Sequence, residues 1–443
     1  MNKYTFKKDC IVALASPYGR SAIAVIRITG KGCIERVSKY LKKPLSEKLS
    51  VNVFSAESFT ERLTAVCFVA PRSYTGEDSV ELFPHGNMTV CDGIIKTLID
   101  GGMRAAERGE FTKRAFINGK LDLMQCEALA DIIDAQTAEQ LKYGNMRYDG
   151  GFKALGMAEK ALKDALSTVE AVLHYSDELE SGEQDERLSD DVYGMIDGVI
   201  DSLKTEIDGY AGGRIIKDGF KIALIGAPNV GKSTILNALT DSDRAIVTPI
   251  AGTTRDTIDG EYVFKGRKFI VIDTAGLTET SDVVEKIGVE RAKKAAEDAD
   301  AVVFVTDGSV TEHEIAKKAA LVVINKQDGV ADVGEAYDKA TERGMLKISA
   351  KFGKNIVALK NKLYDLCPKT AGGICNHRQY DCVVRALSAC EAAKAESKKA
   401  QGLEIVAAAL YDAYSAIQEL YGEGDRADEK VITAVFERFC VGK

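Results

Sequence analysis

The 443-residue chain has no tryptophan, four histidines and seven prolines. Ten cysteines are scattered along it without a C-x-x-C pair, so no zinc ribbon or thioredoxin-like motif can be drawn. Most of Cys367, Cys375, Cys382 and Cys390 could share one helix face, and reduced, mostly buried thiols explain them better than a zinc site. No apolar run reaches the roughly 18–20 residues of a membrane span. The opening residues, MNKYTFKKD, read as an edge strand rather than a signal peptide, so a cytoplasmic protein is expected. Excess positive charge is also lacking: the net charge is −8, which argues against strong nonspecific nucleic-acid binding.

The chain is too long for one core. Residues 1 to about 120 carry β-like runs at 12–15, 22–28, 63–69 and 79–83, with helices near 31–41 and 90–101. They read as an α+β domain. Helical periodicity then covers 125–146, 155–175 and 192–210 and is expected to stop near Gly212 and Gly213. Residues 218–368 alternate strand and helix, as in a parallel sheet with crossover helices. Helical patterning resumes at 377–400, 402–422 and 427–440. The helical region is thus interrupted by an α/β domain; its halves form either one discontinuous domain or two separate subdomains.

The α/β segment carries the chemistry. Gly226–Thr234 (GAPNVGKST) follows an apolar strand and precedes a helix. That context lets backbone N–H groups curl around phosphate oxygens, with Lys232 adding a point charge and Ser233 a Mg²⁺ ligand. Asn229, Val230, Gly231 and Thr234 complete the loop. Asp273, Thr274, Ala275 and Gly276 form D-x-x-G, where Asp273 can hold Mg²⁺ through water and the Gly276 N–H can sense a γ-phosphate. Between them, Thr254 is the expected switch ligand to Mg²⁺. Asn325, Lys326 and Asp328 form N-K-x-D. The Asp328 carboxylate accepts from guanine N1–H and the 2-amino group together, which selects GTP over ATP. Ser349, Ala350 and Lys351 supply backbone N–H for guanine O6. Leu277 follows Gly276, so the usual water-positioning glutamine is missing. Glu279, Asp282 and Glu285 are nearby acids, each also readable as a solvated loop charge. Lys113, Arg114 and Lys120 form a basic cluster that could meet RNA or simply face solvent.

The flanking blocks SYTGED (73–78), RGEFTKRAF (108–116), NGKLDL (118–123) and FCVGK (439–443) resemble the MnmE (TrmE) family of tRNA-modification GTPases over nearly the whole chain. The resemblance implies a multidomain fold. Residues 1–121 would be an α+β tetrahydrofolate-binding and dimerisation domain. Residues 122–217 and 372–443 would form a discontinuous α-helical domain, and 218–371 an inserted Ras-like α/β P-loop G domain. It implies a homodimer acting with an FAD-dependent MnmG (GidA)-type partner, as a heterotetramer, on the wobble uridine of tRNA. FAD would enter only through that partner. The one-carbon unit would come from a 5-formyl or 5,10-methylene tetrahydrofolate.

Residue by residue, the folate site would fall on Arg27, Glu81, Lys120 and Lys443, and Cys440 would serve the modification chemistry. K⁺ would be held by Asn229, Thr248, Ile250 and Thr253, within a nucleotide-contacting loop that also includes Pro249, Ala251 and Gly252. K⁺ would stand in for an arginine finger, and Glu285 would fix the attacking water. Two turns depart from the family pattern, at 16–21 (SPYGRS) and 84–87 (PHGN), both near the expected folate site. An Era-like RNA or ribosome-assembly switch is the competing reading, although no KH-type G-x-x-G module is seen. A folate-dependent one-carbon enzyme with a merely regulatory G domain is a third.

Overall fold

The computed structural model describes residues 9–151, 153–175, 183–240, 260–273, 294–308, 319–328, 335–338, 343–397, 403–423 and 429–443. They divide into two compact units. One comprises Met1–Ile133, Arg147–Gly150 and Leu410–Lys443, the other Asp134–Met146 and Gly151–Ala409.

The first unit is built on a six-stranded sheet. Its strands are β1 (Ile11–Leu14), β3 (Ile26–Thr29), β4 (Ser50–Ser55), β5 (Thr60–Phe68), β6 (Ser79–Phe83) and β8 (Arg104–Ala105), in the order β4-β5-β6-β3-β1-β8. All neighbours are antiparallel except β1 and β8. The strand expected over 22–28 is instead two elements. β2 (Ser21–Ile23) leaves the sheet to pair with β7 (His85–Gly86), while β3 stays in it. Burial explains the split: residues 21–23 are exposed, whereas Ala24, Ile26 and Ile28 are fully buried. Helix α1 (Cys33–Ser38) and helix α2 (Met88–Asp100) contribute Cys33, Val37, Cys91, Ile94 and Leu98 to the sheet's core. The Asn87 side chain caps α2 by accepting from Thr89 N at 2.9 Å.

Helix α3 (Glu110–Ile117) and helix α4 (Leu123–Asp134) follow. Asp122 and Gln125 start α4 with a reciprocal capping box, at 2.7 and 3.0 Å. The single helix expected over 125–146 is two, α4 and α5 (Ala138–Tyr148). Thr137 and Gln140 form a second capping box, which restarts the helix after the break.

The second unit holds α6 (Lys153–Tyr175) and the long α7 (Glu183–Asp218). Helix α7 does not stop at Gly212 and Gly213. A Cβ at Gly212 would overlap Thr370 O, and one at Gly213 would overlap Tyr143 Oη. These glycines mark a close crossing of chain over an unbroken helix, not a helix end.

A seven-stranded sheet follows, made of β9 (Phe220–Ile225), β10 (Gly260–Phe264), β11 (Arg267–Asp273), β12 (Ala301–Thr306), β13 (Leu321–Ile324), β14 (Glu335–Asp338) and β15 (Arg343–Lys347). Its order is β10-β11-β9-β12-β13-β15-β14, parallel except at the two edges. Helix α8 (Lys232–Thr240) and helix α9 (Ile356–Asp365) pack on its core through Ile235, Leu239, Leu359 and Leu363. This is a mostly parallel α/β sheet, and ligands of such open sheets bind beyond the carboxyl ends of the strands. Helix α10 (His377–Ser397), α11 (Leu403–Leu420) and α12 (Glu429–Glu437) complete the chain. Among the described residues no helix is long and apolar enough to cross a membrane.

Candidate nucleotide and folate sites

The phosphate loop lies between β9 and α8, at the carboxyl end of a central strand. Gly231 has φ 95° and Asn229 φ 62°, both left-handed, which curls the backbone into a cradle. Lys232 begins α8, and its Nζ donates to Gly226 O at 2.8 Å and Ala227 O at 2.9 Å, holding the ammonium at the loop. Ser233 and Thr234 occupy the first turn of α8, where the helix dipole favours an anion.

The guanine-reading residues are laced to this loop. Asn325 Nδ2 donates to Val230 O at 3.0 Å, and Ala350 N donates to Asn325 Oδ1 at 3.0 Å. Asn325 therefore ties the phosphate loop, N-K-x-D and the 349–351 segment into one frame. A Cβ at Gly231 would overlap the Asn325 amide, so only glycine fits there. Asp328 accepts from Ser349 Oγ at 2.5 Å, which fixes one carboxylate oxygen. Lys326, at φ 62°, pairs with Asp307 at 3.3 Å, a contact that motif reading did not anticipate. Lys351 lies on the exposed turn that follows. The main chain of Asp273 closes β11 opposite Leu224 of β9. Thr248, Pro249, Ile250, Ala251, Gly252, Thr253, Thr254, Thr274, Ala275, Gly276 and Glu285 lie outside the described residues. The cradle and the fixed Asp328 carboxylate suit a guanine nucleotide with its Mg²⁺: Ser233 would hold the metal and Asp328 the base.

In the first unit, β3–β6 register places Arg27 directly opposite Glu81. Arg27 Nε donates to Glu81 Oε1 at 2.9 Å, and both side chains are about four-fifths buried, at 20% exposure each. The Arg27 guanidinium also lies over the rings of Tyr74, at 5.4 Å, and Phe111, at 5.9 Å. Sequence reasoning missed these aromatics because only folding brings them under Arg27. Burial pushes the Tyr74 hydroxyl up to about 12, and that hydroxyl is bonded to Thr112.

The residues after α12 dock here. Arg108 and Val441 form an antiparallel bridge, Arg108 Nε donates to Phe439 O, and Arg27 Nη1 donates to Gly442 O. Burial and the Arg27 charge hold the Lys443 ammonium below the usual lysine range, while the neighbouring Cys440 works the other way. Cys440 is exposed; the other nine cysteines are buried. Lys120 donates to Pro71 O at 3.3 Å, with its stem against Gly76. Thus Arg27 pairs with Glu81 and holds the tail at Gly442, and Lys443 lies within electrostatic reach of Arg27 and of Cys440. An acid and two cations fit a pterin with a carboxylate tail.

The expected basic cluster at 113–120 does not exist as such. Arg114 is 1% exposed and pairs with Asp9, Glu77 and Glu110, because a buried guanidinium needs several acceptors. The two departing turns meet each other: Ser21 pairs with Gly86 across β2 and β7, where a Cβ on Gly86 would overlap Ser21. His85 bonds Glu61 at 2.6 Å.

A family model for the GTP-binding protein TrmE N-terminus matches residues 10–120, and one for the MnmE helical domain matches 123–440. The tRNA modification GTPase MnmE of Thermotoga petrophila is 35% identical, covering 98% of this chain and all of that one. The MnmE of Aquifex aeolicus is also 35% identical at the same coverage. The FeoB G domain of Methanococcus jannaschii aligns with 33% of the chain and 97% of its own at 28% identity, with a TM-score of 0.25, too low to argue from. On the full-length likeness and both models, the chain belongs to the MnmE (TrmE) family of tRNA modification GTPases.

Proposed function

We propose that this protein is a potassium-stimulated GTPase that modifies C5 of the tRNA wobble uridine, at position 34. It works with an FAD-dependent partner of the MnmG type and draws a one-carbon unit from tetrahydrofolate. The product is an aminomethyl or carboxymethylaminomethyl uridine. The observation that carries this reading is the docking of the tail that bears Cys440 and Lys443 onto Arg27, itself paired with Glu81, in a chain that also laces Asn325 and Asp328 to a phosphate loop. Glu81 accepts from pterin N–H groups, and Arg27 and Lys443 face its carboxylates, with Lys120 at the edge. Cys440 acts on the substrate.

In the nucleotide site Lys232 and the loop amides stabilise phosphate charge, Ser233 and Thr254 hold Mg²⁺, and Asp273 acts on it through water. Asn229, Thr248, Ile250 and Thr253 hold K⁺, and Glu285 orients the water. The domains are 1–121, 122–217 with 372–443, and 218–371. The protein acts in the cytoplasm as a homodimer within a heterotetramer. Mass analysis of tRNA nucleosides from a deletion strain tests this: loss of the C5 group at the wobble uridine is expected, and unchanged nucleosides would overturn it.

A further inference from the structure

The nucleotide-binding sheet joins the helices by two connections, and both are gripped by the last turns of α7. The outbound connection runs from α7 into β9. Here Arg214 pairs with Asp300, whose other oxygen accepts from Lys221 N at 2.9 Å. Gln140 donates to Lys217 O at 2.9 Å, and Arg267 binds Glu139 at 2.6 Å.

The return connection leaves α9 at Leu366 and crosses α7 at residues 370–374. Gly372 N donates to Gly209 O at 3.0 Å, Tyr143 Oη donates to Gly372 O at 2.8 Å, and Gly373 N donates to Glu206 Oε2 at 2.6 Å. Glu206 is 6% exposed, and burial raises its carboxyl pKa against the pull of the Gly373 and Ile374 amides. A Cβ at Gly209 would overlap Gly372 N, and one at Gly212 would overlap Thr370 O. Glycine costs a helix interior about 1 kcal/mol relative to alanine, so two glycines here are explained by the crossing rather than by the helix.

This is not how a free hinge is built. A free hinge exposes its backbone and lacks side-chain anchors. Upstream, the return connection is the continuation of the guanine site. Ala350, bonded to Asn325, lies six residues before α9, whose ten residues span about 15 Å, and residues 366–369 lead from its end to the clamp. A displacement at the phosphate loop, passed by Asn325 to Ala350, would therefore reach α7 through one short helix and the four residues that follow it.

We propose that Glu206, Gly209, Gly212 and Tyr143 are positioning residues: they clamp the return connection to α7, so that a change of nucleotide state moves α7 rather than being absorbed by a linker. This rests on the function proposed above. The measurement is amide hydrogen exchange of the full-length protein with GDP and with a non-hydrolysable GTP analogue, in the unaltered chain and in G212A, E206Q and Y143F. In the unaltered chain, exchange at residues 206–213 and 370–374 is expected to differ between the two nucleotides. In the variants that difference should vanish at 206–213, while protection of the phosphate loop and the thermal midpoint change little. In reconstituted modification, GTP turnover should stay within about twofold while modified uridine per GTP falls at least tenfold.

An α7 that ignores the nucleotide in the unaltered chain overturns the proposal. So do variants that keep the exchange difference. Should G212A fail to fold, Y143F, which removes only the hydroxyl, decides. An unaltered chain that shows the exchange difference but modifies no tRNA defeats the proposed function and leaves the clamp standing.

Discussion

Arg27 and Gly442 are 415 residues apart, yet the guanidinium of one donates to the carbonyl of the other at 3.2 Å. The contact exists because Gly442 adopts φ 97°, a left-handed conformation, in a space where a Cβ would overlap Leu14 O. Gly442→Ala is therefore expected to undock the tail and leave Arg27 with one partner fewer. Loss of a charge-assisted bond is worth about 1.5–3 kcal/mol. Tetrahydrofolate affinity by calorimetric titration should fall roughly 10- to 100-fold. Unchanged affinity would separate the tail from the proposed folate site.

Asp328 offers a second test. In the proposed function its carboxylate accepts two guanine donors, and Ser349 holds it in place at 2.5 Å. Asp328→Asn replaces one acceptor by a donor, so GTP binding should weaken roughly 10- to 100-fold. Xanthosine triphosphate, whose 2-oxo group accepts, should gain affinity. Competition of the two nucleotides against a fluorescent GDP would show the exchange of preference.

Arg114 is a structural cation. Replacing it by methionine strands Asp9, Glu77 and Glu110 without their shared partner. Removing one member of a buried ion network costs about 3–5 kcal/mol. Chemical denaturation should show a loss of that size in the first unit, with GTP hydrolysis by the second unit intact.

The same network sets an acid limit. Bonds from Arg104 and Arg114 hold Asp9 below the usual carboxylate range. Burial opposes this at Glu110, but Arg104, the Glu107 amide and Arg114 outweigh it and lower that group too. A folded pKa below the unfolded one means stability that is present above about pH 4 and lost as pH falls through the folded values. The thermal midpoint of the first unit should hold down to about pH 4 and drop below it. In Arg114→Met that additional drop should shrink, because the lowered pKa values depend on Arg114.

Potassium gives the last test. With Leu277 after D-x-x-G, the proposed catalysis relies on a cation at Asn229 and on Glu285. GTP hydrolysis should be strongly faster in K⁺ than in Na⁺ at equal ionic strength, and equal rates would remove that role from Asn229. Glu285→Ala should lower turnover while leaving GTP affinity nearly unchanged.

What was legible in the sequence followed locality. The phosphate loop, N-K-x-D and 349–351 segments each lie at a strand end, and short-range pattern was enough to read them. The alternation of strand and helix pointed to the parallel sheet for the same reason. Pairings across distance were not legible. Arg27 faces Glu81 through antiparallel register, and Tyr74 and Phe111 lie beneath it, which no spacing announces. Arg114 looked like a surface base because two of the acids that neutralise it, Asp9 and Glu77, come from separate segments, and only Glu110 lies on its own helix. Gly212 and Gly213 looked like a helix stop because their purpose is a neighbour met only in three dimensions.

Nine cysteines are buried and Cys440 alone is exposed, next to Lys443 on the docked tail. In the folded protein a thiol-directed dye should therefore attach at one position, without engineered substitutions. A fluorophore there would sit beside Lys443, turning the protein's own chemistry into an optical gauge of whether its last residues are seated or released.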